Sequence, residues 1–190
     1  LFNNTKFKVN GGLATYVQLC PPTHEQAIAV ASTWIHNDAS HFVQRIRDSG
    51  IGDTLSTPLG IALSASVFSK LQILPENRAS LYEAYVRIAL EEAIRQGAEI
   101  QADLKLEALQ YLLQRLAYLS TQCSEVTDLE AMKEIQAVLR ERYTSLSYIE
   151  LKVRSEGVYR VLKERSGILL DASEWKHETF REFLAAQYMV

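Results

Sequence analysis

One of the four histidines in this sequence stands in a setting that could do ligand chemistry. His177 lies between Trp175-Lys176 and Glu178-Thr179-Phe180-Arg181-Glu182-Phe183-Leu184-Ala185-Ala186. A short β-hairpin is expected before it and an amphipathic helix after it. Imidazole changes charge near neutrality and can donate or accept a hydrogen bond. The plain alternative is a polar residue opening a helix.

Other reactive side chains make weaker cases. His36-Asn37-Asp38-Ala39-Ser40-His41 sets two imidazoles and a carboxylate within six residues, but no further ligand cluster accompanies them and the segment reads as a helix junction, so no metal site is assigned. Cys20 and Cys123 are about a hundred residues apart in apolar-looking contexts, which fits reduced thiols rather than a disulfide framework. No Gly-x-x-x-x-Gly-Lys-Ser/Thr string occurs, so this chain has no phosphate loop of that type and is not expected to hydrolyse ATP by itself.

The elements that would carry these residues are mostly helical. Residues 13–19 read as a short strand between Gly11-Gly12 and Pro21-Pro22, and its ladder partners are expected upstream of Leu1. Thr23-His24-Glu25-Gln26 has the capping-box pattern, followed by Ala27, Val30, Ala31, Trp34 and Ile35 at helical spacing. A shorter helix over 40–48 follows, and Thr57-Pro58 then supplies an N-cap and a first-turn proline for a helix to about Lys70. After Pro75 comes the longest amphipathic run, with Leu81, Tyr82, Tyr85, Val86, Ile88 and Ala89 on one stripe and Gly97 as its stop.

A second unit is expected from about Ala98. Leu106, Leu109, Leu112, Leu113 and Leu116 share one helical face, and Thr127-Asp128-Leu129-Glu130 is another capping box. A helix from Glu156 to Gly167, strand-like Ile168-Leu169-Leu170, a polar turn over 171–174 and a last helix bearing Phe180, Phe183, Leu184 and Tyr188 complete the parts of a winged helix.

Composition bounds the possibilities. With 47% hydrophobic residues in 190, the chain can bury a core as one domain or two small ones. No apolar run approaches the roughly 20 residues of a membrane span, and a soluble cytoplasmic protein is the default expectation. Leu1 in first place, and a last residue Val190 directly after a helix, predict a piece of something longer. The final 42 residues carry seven charges of each sign, which opposes nucleic-acid binding despite Arg160, Lys163 and Arg165 on one helix.

Four segments, in order, resemble NACHT-type signal-transducing NTPases of the STAND class. They are Leu19-Cys20-Pro21-Pro22-Thr23-His24-Glu25-Gln26, Thr57-Pro58-Leu59, Leu74-Pro75-Glu76-Asn77-Arg78-Ala79-Ser80-Leu81-Tyr82, and the segment from Trp175 to Ala186. The resemblance implies a mainly α chain. Residues 1–21 would be the C-terminal edge of an α/β nucleotide-binding domain, contributing one leftover strand. Residues 22–97 would be a four-helix domain, and residues 98–190 a winged-helix domain with a small β-hairpin.

It further implies that His177 matches the winged-helix histidine that donates a hydrogen bond to the β-phosphate of ADP, and that Pro58 matches the proline packed near adenine and sugar. ADP or ATP with Mg would belong to the full-length protein, with no cofactor expected for this chain alone. The expected partners are an upstream nucleotide-binding domain, a downstream sensor, and further copies on activation. The implied role is regulatory, in signalling or defence. Two alternatives remain open: a non-enzymatic protein-interaction module, and a winged-helix DNA-binding module.

Overall fold

The structure, a computed structural model, describes residues 2–9, 12–96, 105–123, 126–172 and 174–190. It is mainly α-helical. Packing divides the chain into two compact units, Leu1–Leu81 and Tyr82–Val190. Among the described residues, no helix is long and apolar enough to cross a membrane.

In the first unit, strand β1 (Phe2–Val9) pairs antiparallel with β2 (Gly12–Leu19), in a register running from Phe2 opposite Leu19 to Val9 opposite Gly12. The expectation that the ladder of residues 13–19 would be filled from upstream of Leu1 is therefore corrected, because β1 supplies the partner groups. The pairing leaves the assignment of β2 to a nucleotide-binding domain without support from the fold itself.

Helix α1 (His24–Ala31) starts with the anticipated box: Gln26 N–H donates to the Thr23 hydroxyl at 3.3 Å, and Gln26 Oε1 accepts from Thr23 N–H at 2.9 Å. It ends earlier than the apolar periodicity predicts. The Ser32 and Thr33 hydroxyls donate to the carbonyls of Ile28 and Val30, both at 2.8 Å, and such local bonds compete with helix continuation. Trp34, expected on the buried face, is consequently 41% exposed.

Helix α2 (Ala39–Arg47) buries Phe42, Val43 and Ile46 against Ile51, Ile61 and Ala65, the last two from α3 (Pro58–Leu71). Each such large side chain contributes about 1.5–3 kcal/mol on burial. A 3₁₀ turn, Gly52–Ser56, leads into α3, whose N-cap Thr57 accepts from Gly60 N–H at 3.1 Å. Gly60 is dictated by space: a β-carbon there would lie 2.3 Å from the Thr54 carbonyl oxygen. Helix α4 (Arg78–Gln96) begins where Asn77 Oδ1 accepts from Ser80 N–H at 2.9 Å.

The division at Leu81/Tyr82 falls inside α4, whereas the stop signal at Gly97 predicts a boundary near 97. Aromatic packing within the second unit explains the difference. Tyr82 meets Phe180 edge-on at 5.6 Å and Phe183 at 5.5 Å, while Tyr85 stacks on Phe180 at 5.3 Å. Gly97 and Ala98, read as the helix stop and the start of the next unit, lie outside the described residues.

The second unit is built around α5 (Leu106–Gln122), whose Leu109, Leu112, Leu113 and Leu116 are fully buried. Helix α6 (Asp128–Arg142) begins at the Thr127–Glu130 capping box and buries Ile135, Val138 and Leu139. Helix α7 (Tyr148–Arg160) starts well before Glu156, because Ser147 and Glu150 form a further capping box and Leu151 reaches the core. It runs into a π-helical turn, Val161–Arg165, closed by Ser166 N–H on the Val161 carbonyl at 2.9 Å. Gly167 follows at φ +63°, and helix α8 (Glu178–Tyr188) ends the chain against α5.

Candidate functional site

His177 is the N-cap of α8, in extended backbone at φ −153° and ψ 137°. Its Nδ1 accepts from the Thr179 backbone N–H at 3.4 Å and also contacts the Thr179 hydroxyl. With Nδ1 accepting, the proton of a neutral ring resides on Nε2, which then presents an N–H. The side chain is exposed, and Nε2 has no partner among the described residues. It stands at the positive end of the α8 dipole, a favourable place for an anion.

The segment before His177 is a turn held by one antiparallel bridge, between Leu169 and Trp175. Leu170 N–H donates to the Glu174 carbonyl at 2.8 Å, and Lys176 N–H to the Ile168 carbonyl at 2.9 Å. Ser173 of the anticipated polar turn lies outside the described residues. Trp175 is buried, and its indole N–H reaches the Ser120 hydroxyl at 3.5 Å. From the other side, Arg181 donates to the Ser120 carbonyl at 3.3 Å and pairs with Glu178, while its buried Nε has no partner. Trp175 and Arg181 thus tie both flanks of His177 to one residue of α5.

A charged cluster holds the far end of the turn. Lys163 Nζ lies 3.2 Å from Asp171 Oδ1 and 3.5 Å from Asp128 Oδ2, and the Tyr159 hydroxyl donates to Asp128 at 2.6 Å. Asp171 is held down to about 2, first by a hydrogen bond with the Asp128 side chain, then by the Ala172 N–H and Lys163. Burial, followed by the Asp128 hydrogen bond, pushes the Tyr159 hydroxyl well above its ordinary value. Lys163 is raised, chiefly by its hydrogen bond with Asp171.

Lys163 was one of three cations that could have met nucleic acid, and its ammonium is engaged inside the unit. Neither this cluster nor the bonds from Trp175 and Arg181 to Ser120 are suggested by local sequence, since their members lie far apart along the chain. Thr179 carries a local signal, a hydroxyl two residues after a candidate cap.

Pro58 is exposed at the first position of α3. The Ser56 hydroxyl just before it donates to the Asp53 carbonyl at 2.7 Å, closing the 3₁₀ turn that delivers the chain to the Thr57 cap. Pro58 belongs to the first unit and His177 to the second, and each is placed by its own unit. Of the remaining histidines considered, His41 Nδ1 is 3.2 Å from Asp38 Oδ2 in an exposed pair one helical turn apart.

Compared with protein-family models, curated proteins and solved structures, the chain matches nothing.

Proposed function

We propose that this chain is the regulatory arm of a NACHT-like ATPase, a helical domain joined to a winged-helix domain, which closes over ADP held by an upstream nucleotide-binding domain. Its swing away on exchange for ATP would release the surface used for oligomerisation in signalling or defence. The observation that carries the reading is His177 as an exposed N-cap whose Nδ1 is taken by Thr179.

The chemistry of that donor fits a phosphate oxygen. Nε2–H gives one charge-assisted hydrogen bond, contributing on the order of 1.5–3 kcal/mol, which corresponds to a roughly ten- to hundredfold bias toward the closed arrangement. The same residue fits poorly as a complete site, since this sequence has no phosphate loop. Pro58 would add a flat apolar surface near the base and sugar without a competing donor. Bound ADP would supply the negative charge that rewards closure, and His177 and Pro58 would sense it.

The test is to denature the purified full-length protein and quantify released nucleotide, comparing the natural sequence with His177→Ala and with this chain alone. ADP retained by the full-length protein, reduced by the substitution and absent from this chain supports the clasp. Equal occupancy in both full-length forms sinks it. No nucleotide in any sample favours the second reading, a non-enzymatic interaction module, for which the exposed Tyr148, Ile149 and Val153 on α7 are the relevant feature. A salt-dependent affinity for DNA would be needed to restore the third.

A further inference from the structure

A second candidate site lies wholly within the first unit and does not depend on the nucleotide reading. Beside the end of α1, a groove of about 350 Å³ is lined by Trp34, Ile35 and Phe68, with His36, Asn37 and Gln72 among its polar groups. A lobe of about 130 Å³ shares Ile35, Asn37 and Phe68 and adds Phe42, His41 and Arg45. Three apolar side chains and four polar ones line the larger groove, so both a ring and a polar group of a ligand would find partners there.

Three observations narrow the ligand. Trp34 leaves 41% of its surface open, so a large aromatic face borders the groove at one end. In the smaller lobe, the Arg45 guanidinium lies over the Phe68 ring at 5.1 Å, and Arg45 has no carboxylate partner among the described residues. Asp38, the one carboxylate in the lining, instead has its Oδ2 3.2 Å from His41 Nδ1. A guanidinium laid over an aromatic ring keeps its edge available to a carboxylate.

Asp38 at φ 68° and Gln72 at φ 59° are the two non-glycine residues in left-handed conformation among the described residues, and both line this groove. Both stand at helix ends, Asp38 before α2 and Gln72 closing α3 with its N–H on the Phe68 carbonyl, so these two turns fix the backbone that borders the groove.

From these features we infer that the groove between the end of α1, α2 and the end of α3 binds a small aromatic carboxylate. The ring packs on the open face of Trp34 at the border of Phe68, whose own ring meets Phe42 at 5.1 Å and lies under the Arg45 guanidinium, and the carboxylate pairs with Arg45. Asn37 and Gln72 line the space beside it and can orient the ligand through their amides.

The experiment is a titration of the protein with 3-phenylpropionate, 3-phenylpropanol and 3-cyclohexylpropionate, followed by tryptophan emission. Trp34 is the reporting residue, because the other tryptophan, Trp175, is only 8% exposed. A saturable change with 3-phenylpropionate is expected, with Kd on the order of 1 mM for a ligand of this size. Affinity for the alcohol and for the cyclohexyl acid is expected to be several-fold weaker. Arg45→Gln should weaken 3-phenylpropionate about tenfold while leaving the alcohol unchanged, and Trp34→Phe should remove the emission change. Equal affinity for acid and alcohol, or no saturation in folded natural protein, overturns the proposal. The acid-to-alcohol ratio in the natural protein decides the carboxylate contact even where the Arg45 variant fails to fold.

Discussion

Thr179 occupies Nδ1 of His177 with both its backbone N–H and its hydroxyl, so that a neutral ring carries its proton on Nε2. One side chain therefore caps α8 through one nitrogen and presents a donor with the other. Capping and ligand contact are separable, because serine reproduces the first but has no imidazole for the second.

For His177 we expect His177→Ala to lower stability by about 0.5–1 kcal/mol and His177→Ser by only a few tenths, as cap preferences dictate. Urea unfolding followed by circular dichroism reads the difference. On the proposed clasp, both variants should lose ADP alike in the full-length protein, although the alanine form is the more destabilised. If serine retained ADP as the natural sequence does, capping alone would explain the position.

Backbone conformation gives two changes of opposite sign. Gly167 sits at φ +63°, so Gly167→Ala should cost about 1 kcal/mol or more, even though its β-carbon would meet only Lys176 Nζ at 3.7 Å, an ordinary contact. At Gln72, φ is 59° in a residue with a β-carbon, and Gln72→Gly should stabilise by up to about 1 kcal/mol. Paired thermal melts of the two variants check both signs.

Gly60→Ala tests a different limit. Its β-carbon would lie 2.3 Å from the Thr54 carbonyl oxygen, and backbone on both sides must move to relieve the clash. A loss of about 1–3 kcal/mol is expected, in the range of overpacked cores. Denaturant melts measure it, and a loss under 0.5 kcal/mol, roughly the level of a neutral surface change, would show the 3₁₀ turn to be pliable.

Acid stability should depend on Asp171. Its carboxyl titrates at about 2 when folded and near the ordinary value, about 3.9, when unfolded, so the unfolded chain binds the proton more readily. The contribution is present above about pH 4 and disappears as the pH falls through 2. Asp171→Asn should flatten the stability curve in that window. The group is largely solvated, so the change will be small and reduced by salt. Urea midpoints at pH 5, 3 and 2 with both proteins measure it.

Several local elements could be read directly. The boxes at Thr23 and Thr127 and the Thr57-Pro58 start each depend on residues three positions apart, and each forms as its pattern indicates. The same signal at Ser147 and Glu150 opens α7, although apolar spacing had pointed to a start at Glu156. Asn10-Gly11, a strong short-range hairpin pair, stands between β1 and β2 in the sequence and is a local signal for their pairing.

By itself, the order of amino acids determined the helical character and most helix starts, because caps and periodicity act within one or two turns of chain, whereas the candidacy of His177 and Pro58 rested on the resemblance of their segments to a known family. Tertiary structure decided which residues hold His177 in place. Arg181 and Trp175 reach Ser120 across 61 and 55 positions, and Lys163 joins Asp128 to Asp171 from a third element. It also decided that α4 splits between two units and that Trp34 borders an open groove. Those outcomes arise from competition among surfaces for burial and among donors for partners, which is settled only when distant segments meet.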